Sequence, residues 1–210
     1  MGREVKYMKV AFRQQATDYD CVPTSIINGL CFLFHRQDVP PFVVKRIYKD
    51  CLDVDAFKGT SGDATHEVAY WLNSYRDKQF GNFAVEARLI RDSQVHLRDN
   101  GKIMQCLAGK GVALLTVYLG RSEWHCILCF HMEDGWLHCY DPAPRTRRFI
   151  SNEAVLFDVS ARHQEANLRI RCDWLDKTFS MVSTYDDCKY ILGDDDDREC
   201  LLLNKVQLQL

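Results

Sequence analysis

The sequence predicts an α+β protein, with a helical part over about residues 15–110 and an antiparallel sheet over about residues 111–210. Two observations carry this. Through the first half, apolar residues recur at helical intervals, whereas from residue 112 onward they form β-rich runs separated by short turns. No internal repeat or low-complexity linker divides the chain, and 47% hydrophobic content over 210 residues suffices for one buried core. A single domain, residues 1–210, is therefore expected.

Taken in order, residues 5–14 place Val5, Tyr7, Val10 and Phe12 among polar neighbours, as in a short strand or extended arm that feeds a loop carrying Gln15. A helix starts beside Cys21. Asp20 is read as its capping oxygen, Pro23 is tolerated in a first turn, and Val22, Ile26, Leu30 and Leu33 share roughly one face. Gly29 weakens that helix slightly. Pro40 and Pro41 open a second helix with Phe42, Val43, Ile47 and Cys51 inward, and Lys45, Arg46, Lys49 and Asp50 on a solvated face. The cluster Gly59-Thr60-Ser61-Gly62-Asp63 is a turn from which Asp63 caps a third helix bearing Val68, Leu72 and Tyr75. It lacks the Gly-Lys-Ser/Thr ending of a phosphate-binding loop and reads as the border of a cleft.

Phe83 to Ile90 alternates as a strand, and residues 99–108 suit a short helix ending at Gly109 and Gly111. Val112 to Leu119, Trp124 to His131 and Trp136 to Tyr140 then form an antiparallel meander, with turns at Gly120-Arg121-Ser122-Glu123 and Glu133-Asp134-Gly135. Further strands are expected around Arg147, Phe149 and Ile150, over Leu168, Ile170, Cys172 and Trp174, at Phe179 and Met181, and from Cys200 to Leu210. Asp194 to Asp197 lacks calcium-loop spacing and reads as a solvated turn.

A formal net charge of -2, from 27 basic and 29 acidic residues, gives no reason to expect nucleic acid or an anionic membrane as partner. The polar opening Met1 to Lys6 is unlike a signal segment, and no apolar run approaches a membrane span, so a cytoplasmic protein is expected. In that setting the ten cysteines are expected to be reduced thiols.

Three residues then become candidates for chemistry. At a helix start, free N–H groups and the positive end of the dipole favour the thiolate of Cys21. If the second and third meander segments pair about Asp134-Gly135, His125 and Asp141 come within reach across the ladder. An imidazole holds the sulfur ionised and protonates a leaving amine, while a carboxylate on its other nitrogen fixes the tautomer. Gln15, six residues before Cys21, is placed to offer an amide N–H to an oxyanion, with the Cys21 backbone N–H as second donor. Asp18 and Asp20, if both faced the sulfur, would oppose its ionisation.

The layout of Gln15, Cys21 opening a helix, His125 beginning a strand and Asp141-Pro142 ending the next resembles the papain-like cysteine peptidases. The similarity is greatest to their bacteriocin-processing (double-glycine leader) peptidase-like branch, and spans roughly residues 10–150. It implies a papain-like fold and peptide-bond hydrolysis by Cys21, His125 and Asp141, with Gln15 at the oxyanion, a peptide or protein substrate, and neither cofactor nor metal. Gly59 to Gly62 is similar to the family's loop before a cleft-lining helix. Val22 stands where the family usually has glycine, and Pro23 where it has a small residue.

Three alternatives compete. An acyltransferase or peptide ligase would use the same residues with an amine or thiol acceptor, and a catalytically silent papain-like domain would serve protein interaction. A zinc module is suggested by His125, Cys126, Cys129, His131, His138 and Cys139, but strand alternation sends His125, Cys129 and His131 to one face and Cys126 to the other.

Overall fold

A computed structural model describes residues 10–53, 59–151, 153–158, 164–182 and 190–206. In chain order the elements are α1 (Cys21–Leu33), α2 (Pro41–Cys51), α3 (Gly62–Ser74), β1 (Val85–Arg91), α4 (Lys102–Ala108), β2 (Val112–Gly120), β3 (Glu123–Glu133) and β4 (Trp136–Tyr140). Then follow β5 (Phe149–Ser151), β6 (Val155–Phe157), β7 (Leu168–Arg171), a one-turn α5 (Cys172–Leu175) and β8 (Glu199–Lys205). The protein is mixed α+β, with one antiparallel sheet ordered β1-β8-β2-β3-β4-β7-β6-β5. Strand β1 comes from the helical half, so the sheet draws on more than residues 111–210.

Two tight turns organise its centre. Arg121 and Ser122 have φ of 51° and 62°, and Asp134 and Gly135 have φ of 50° and 77°. Two positive φ values in a two-residue loop match the twist of the strands it joins. The β2–β3 and β3–β4 hairpins are thereby set in register, with Leu128 opposite Tyr140.

Apolar side chains fill both faces of the sheet. On one, α1–α3 place Ile26, Ile27, Leu30, Val43, Ile47, Val68 and Leu72 against Val112, Leu114, Leu128 and Leu203. On the other, α4 places Ile103, Cys106 and Leu107 with Leu115, Val117, Ile127, Leu137 and Ile170. Gly29 has a reason to sit within α1: a Cβ there would fall 3.1 Å from Val112 Cγ2 and 3.4 Å from Leu128 Cδ1, so glycine permits close approach to the sheet. Among the described residues no helix is long and apolar enough to cross a membrane.

Several local expectations are corrected. Asp20 is at the N-cap of α1 but makes no side-chain cap hydrogen bond. Its absence costs about 1 kcal/mol, whereas burial of Ile26, Ile27 and Leu30 contributes roughly 1.5–3 kcal/mol each; packing, not capping, holds this helix. For α3 the cap is Ser61, whose Oγ accepts from Ala64 N at 3.0 Å, and Asp63 lies in the first turn. Phe42 is 55% exposed, because only Val43 shares the four-residue spacing of Ile47 and Cys51.

Strand β7 stops at Arg171 because its partner β4 begins at Trp136, directly opposite. With nothing left to pair, Cys172 donates to Gly135 O (2.9 Å) and the chain turns into α5. Phe179 to Met181 is a 3₁₀ turn rather than a strand: Phe179 packs on Tyr118 with ring centroids 4.9 Å apart, while Met181 is exposed. Residues 10–14 form no strand, although Phe12 is buried against Tyr140 and Phe130; Val5 and Tyr7, like residues 207–210 of the expected last strand, lie outside the described residues.

Candidate active site

The loop before α1 is built around Asp20. Its buried carboxylate accepts from Ala16 N (3.1 Å), Thr17 N (2.7 Å), Thr17 Oγ1 (2.8 Å) and Thr24 Oγ1 (3.3 Å). Burial alone would raise this carboxyl, but the hydrogen bonds from Ala16 and Thr17 outweigh it and lower it. Asp20 is thus spent on loop structure. The loop is tied to the rest of the molecule by Gln15 N donating to Pro142 O (2.8 Å), and by Asn28, which bonds both backbone groups of Arg13.

This geometry delivers Cys21, partly exposed, as the first residue of α1. The first intrahelical acceptor serves Thr24 N, from Asp20 O. Pro23 has no N–H, so Cys21 and Val22 are the residues whose amides point out of the helix start unsatisfied by it.

His125 lies near the start of β3 and is buried. Extending the register of Leu128 with Tyr140, Asp141 falls diagonally across from it. His125 Nε2 and Asp141 Oδ1 are 2.7 Å apart. Cys21 lines the same cavity as this imidazole and lies close enough to shift its titration; with Nε2 engaged by Asp141, Nδ1 is the nitrogen left for the sulfur. Burial alone would lower this histidine; the hydrogen bonds and charges of Asp141 and Cys21 outweigh it and raise it to about 9.

Asp141 is the most heavily supported group in the site. Its Oδ1 also accepts from Ala143 N (2.8 Å), and its Oδ2 accepts from Arg145 Nε (2.9 Å) and the Tyr190 hydroxyl (2.5 Å). Arg145 in turn donates to the Tyr190 hydroxyl. Asn167 clamps the Asp141 backbone, its Oδ1 accepting from Asp141 N (2.7 Å) and its Nδ2 donating to Asp141 O (2.9 Å). Burial pushes this carboxyl up, but the His125 bond and charge, the Arg145 charge and the Tyr190 bond hold it well below the usual range.

Cys21 and His125 open onto a cavity of 390 Å³. Thr60 and Gly62 of the glycine-rich loop, Thr65 of α3, Trp124 of β3 and the acidic residues Asp196, Asp197 and Glu199 also line it. Gln15 does not. Its side-chain amide donates to Thr17 O (2.9 Å), inside its own loop, and its buried Oε1 has no partner among the described residues.

The other thiols differ in surroundings. Burial raises Cys51 to about 12 and Cys106 and Cys172 to about 11, and holds Cys31, Cys126, Cys129 and Cys200 above the ordinary value. The residues considered for zinc are dispersed: Cys129 meets Cys139 (Sγ–Sγ 3.1 Å) inside the core, and His131 meets His138 at the far end. A bulge between Cys129 and His131 breaks the strict alternation expected there. No group of three or more potential ligands is clustered among the described residues.

Sequence reasoning picked out Cys21, His125 and Asp141 but missed Arg145, Tyr190 and Asn167. Arg145, four residues after Asp141, was within reach of a local reading; Tyr190 and Asn167, 49 and 26 residues away, carry no pattern that links them to it. No protein-family model matches the chain, and no curated protein matches it significantly.

Proposed function

We propose that this protein is a papain-like cysteine hydrolase that cleaves an amide bond in a peptide or protein. The observation that carries the reading is that one buried imidazole opens beside Cys21, at a helix start, onto a shared cavity and bonds the carboxylate of Asp141.

In this mechanism the Cys21 thiolate attacks the scissile carbonyl and a carbon–sulfur bond forms. The oxyanion is held by the Cys21 backbone N–H; the Gln15 amide, which bonds Thr17 within its own loop and lies outside the cavity lining, joins it only by turning towards the substrate. Protonated His125 gives its proton to the nitrogen of the departing amine as the carbon–nitrogen bond breaks. Neutral His125 then takes a proton from water, the hydroxide attacks the thioester carbonyl, and the carbon–sulfur bond breaks. Thiolate and imidazolium are regenerated. Asp141, fixed by Arg145 and Tyr190, orients the ring and stabilises its charge throughout. Val22, in the cavity wall, narrows a groove that glycine would leave open.

The test is alkylation by iodoacetamide near neutral pH, with the modified residue mapped by mass spectrometry. Selective labelling of Cys21, lost in Cys21→Ala and slowed at least about tenfold in His125→Ala, is the expected result. Labelling confined to other cysteines would overturn the assignment, and preferential transfer of a thioester-activated acyl group to an added amine would reassign the reaction to acyl transfer.

A further inference from the structure

The aspartate run before β8 is the exposed turn that the sequence predicts, and it is an anchored one. Asp195–Asp197 form a 3₁₀ turn anchored by the next residue, Arg198, whose buried guanidinium donates to Gly193 O (2.9 Å), Val95 O (3.0 Å) and Asp176 Oδ1 (2.7 Å). The anchor holds Asp196 and Asp197 in the wall of the cavity that contains Cys21 and His125.

The charges in that wall do not balance. Glu199 is neutralised by Arg91 (2.9 Å), and Gly62 is packed so tightly beside that pair that a Cβ would fall 2.8 Å from both. Asp195 has Arg198 at 3.6 Å. Among the described residues, Asp196 and Asp197 have no ion-pair partner and neither lysine nor arginine lines the cavity. One further feature of the wall suits an occupant. Trp124, braced by Tyr118 and Phe179 with ring centroids 5.4 Å and 6.1 Å away, presents an aromatic surface beside His125.

Two carboxylates without an ion-pair partner in the wall of this cavity favour a cationic occupant. A lysine or arginine side chain supplies that charge and can lay its methylenes along an aromatic ring. We infer that the cavity selects a peptide substrate with a basic residue next to the scissile bond, its cationic end between Asp196 and Asp197 and its stem along Trp124. This inference rests on the hydrolase reading above.

The experiment uses three peptide vinyl sulfones that differ only in the residue beside the electrophile: lysine, norleucine or glutamate. The second-order rate of Cys21 modification is followed by intact mass and peptide mapping, alongside iodoacetamide on the same protein. The lysine probe should react about tenfold faster than norleucine, with glutamate slowest, and the gap should narrow as salt rises. In Asp196→Asn/Asp197→Asn the lysine-to-norleucine ratio should fall towards one, with the thermal midpoint unchanged. Equal rates for lysine and norleucine, a ratio indifferent to the double substitution, or no probe labelling while iodoacetamide modifies Cys21, would each overturn this inference and leave the hydrolase reading standing. No modification of Cys21 by iodoacetamide would remove the hydrolase reading itself.

Discussion

Strand β3 carries a histidine near each end, and the two have opposite fates. His125 is buried between Cys21 and Asp141. His131 is exposed, with Glu133 at 3.9 Å and the His138 ring at 5.3 Å. The cavities at the His131 end are the larger, 610 and 730 Å³ against 390 Å³, yet no cysteine is among the residues lining them. Identity of residue and size of cavity therefore do not single out the proposed site. A fixed set of partners in a low-dielectric setting does.

The sharpest way to break this contrast is to remove each imidazole in turn. His125→Ala should lower turnover of an activated peptide ester by roughly 10³–10⁴-fold, and His131→Ala should leave it within about twofold. Equal effects would dissolve the distinction.

Asp141→Asn comes next, with an expected loss of roughly 10²–10⁴-fold. It also carries a pH signature. The His125 value is raised from 6.5 to about 9, so the imidazolium needed to protonate a leaving amine persists until pH approaches 9, and amide cleavage should decline above it. In Asp141→Asn that alkaline limb should move down towards the ordinary histidine range. The same shift links to stability. A group whose folded value is raised contributes stability in full below its unfolded value and loses it as pH rises through the folded one, here between about 6.5 and 9. Urea unfolding at pH 6 and pH 10 should differ by roughly 3 kcal/mol from this group, and most of that difference should vanish in Asp141→Asn.

Tyr190→Phe probes the outer support. It deletes the hydroxyl that bonds Asp141 Oδ2 and accepts from Arg145, and should cost about 2 kcal/mol of stability with only a several-fold loss of turnover, because His125 and Arg145 still hold the carboxylate. The smallest expected effect is at the other end of the strand, where His131→Ala should change stability by no more than about 0.5 kcal/mol.

How legible each part was depends on how local its cause is. The helix start at Cys21 followed from Pro23 and the apolar spacing beyond it, and the β3–β4 pairing followed from Asp134-Gly135, which sets the register that brings Asp141 to His125. Residues 172–174 were misread because alternation over so short a run fits a strand only where a neighbour extends alongside, and β4 does not. Asp20 was misread as a capping oxygen; its carboxylate is committed to the amides of Ala16 and Thr17. The run Asp194 to Asp197 gave no sign of facing the cavity, since its position depends on Arg198 reaching Val95, 103 residues earlier.

From the sequence alone came the α+β character, the order of helices and hairpins, and the pairing of His125 with Asp141, because periodicity and turn chemistry act over a few neighbouring residues. Only the tertiary structure decided that α1 brings its first residue to His125, that Tyr190 and Arg145 enclose Asp141, and that Asp196 and Asp197 enter the wall of the same cavity. Those placements come from burying Ile26, Ile27 and Leu30 on the sheet and from satisfying one guanidinium in the interior. Burial of this kind is roughly proportional to area and carries no direction along the chain, so no short stretch of residues encodes where it will bring distant groups together.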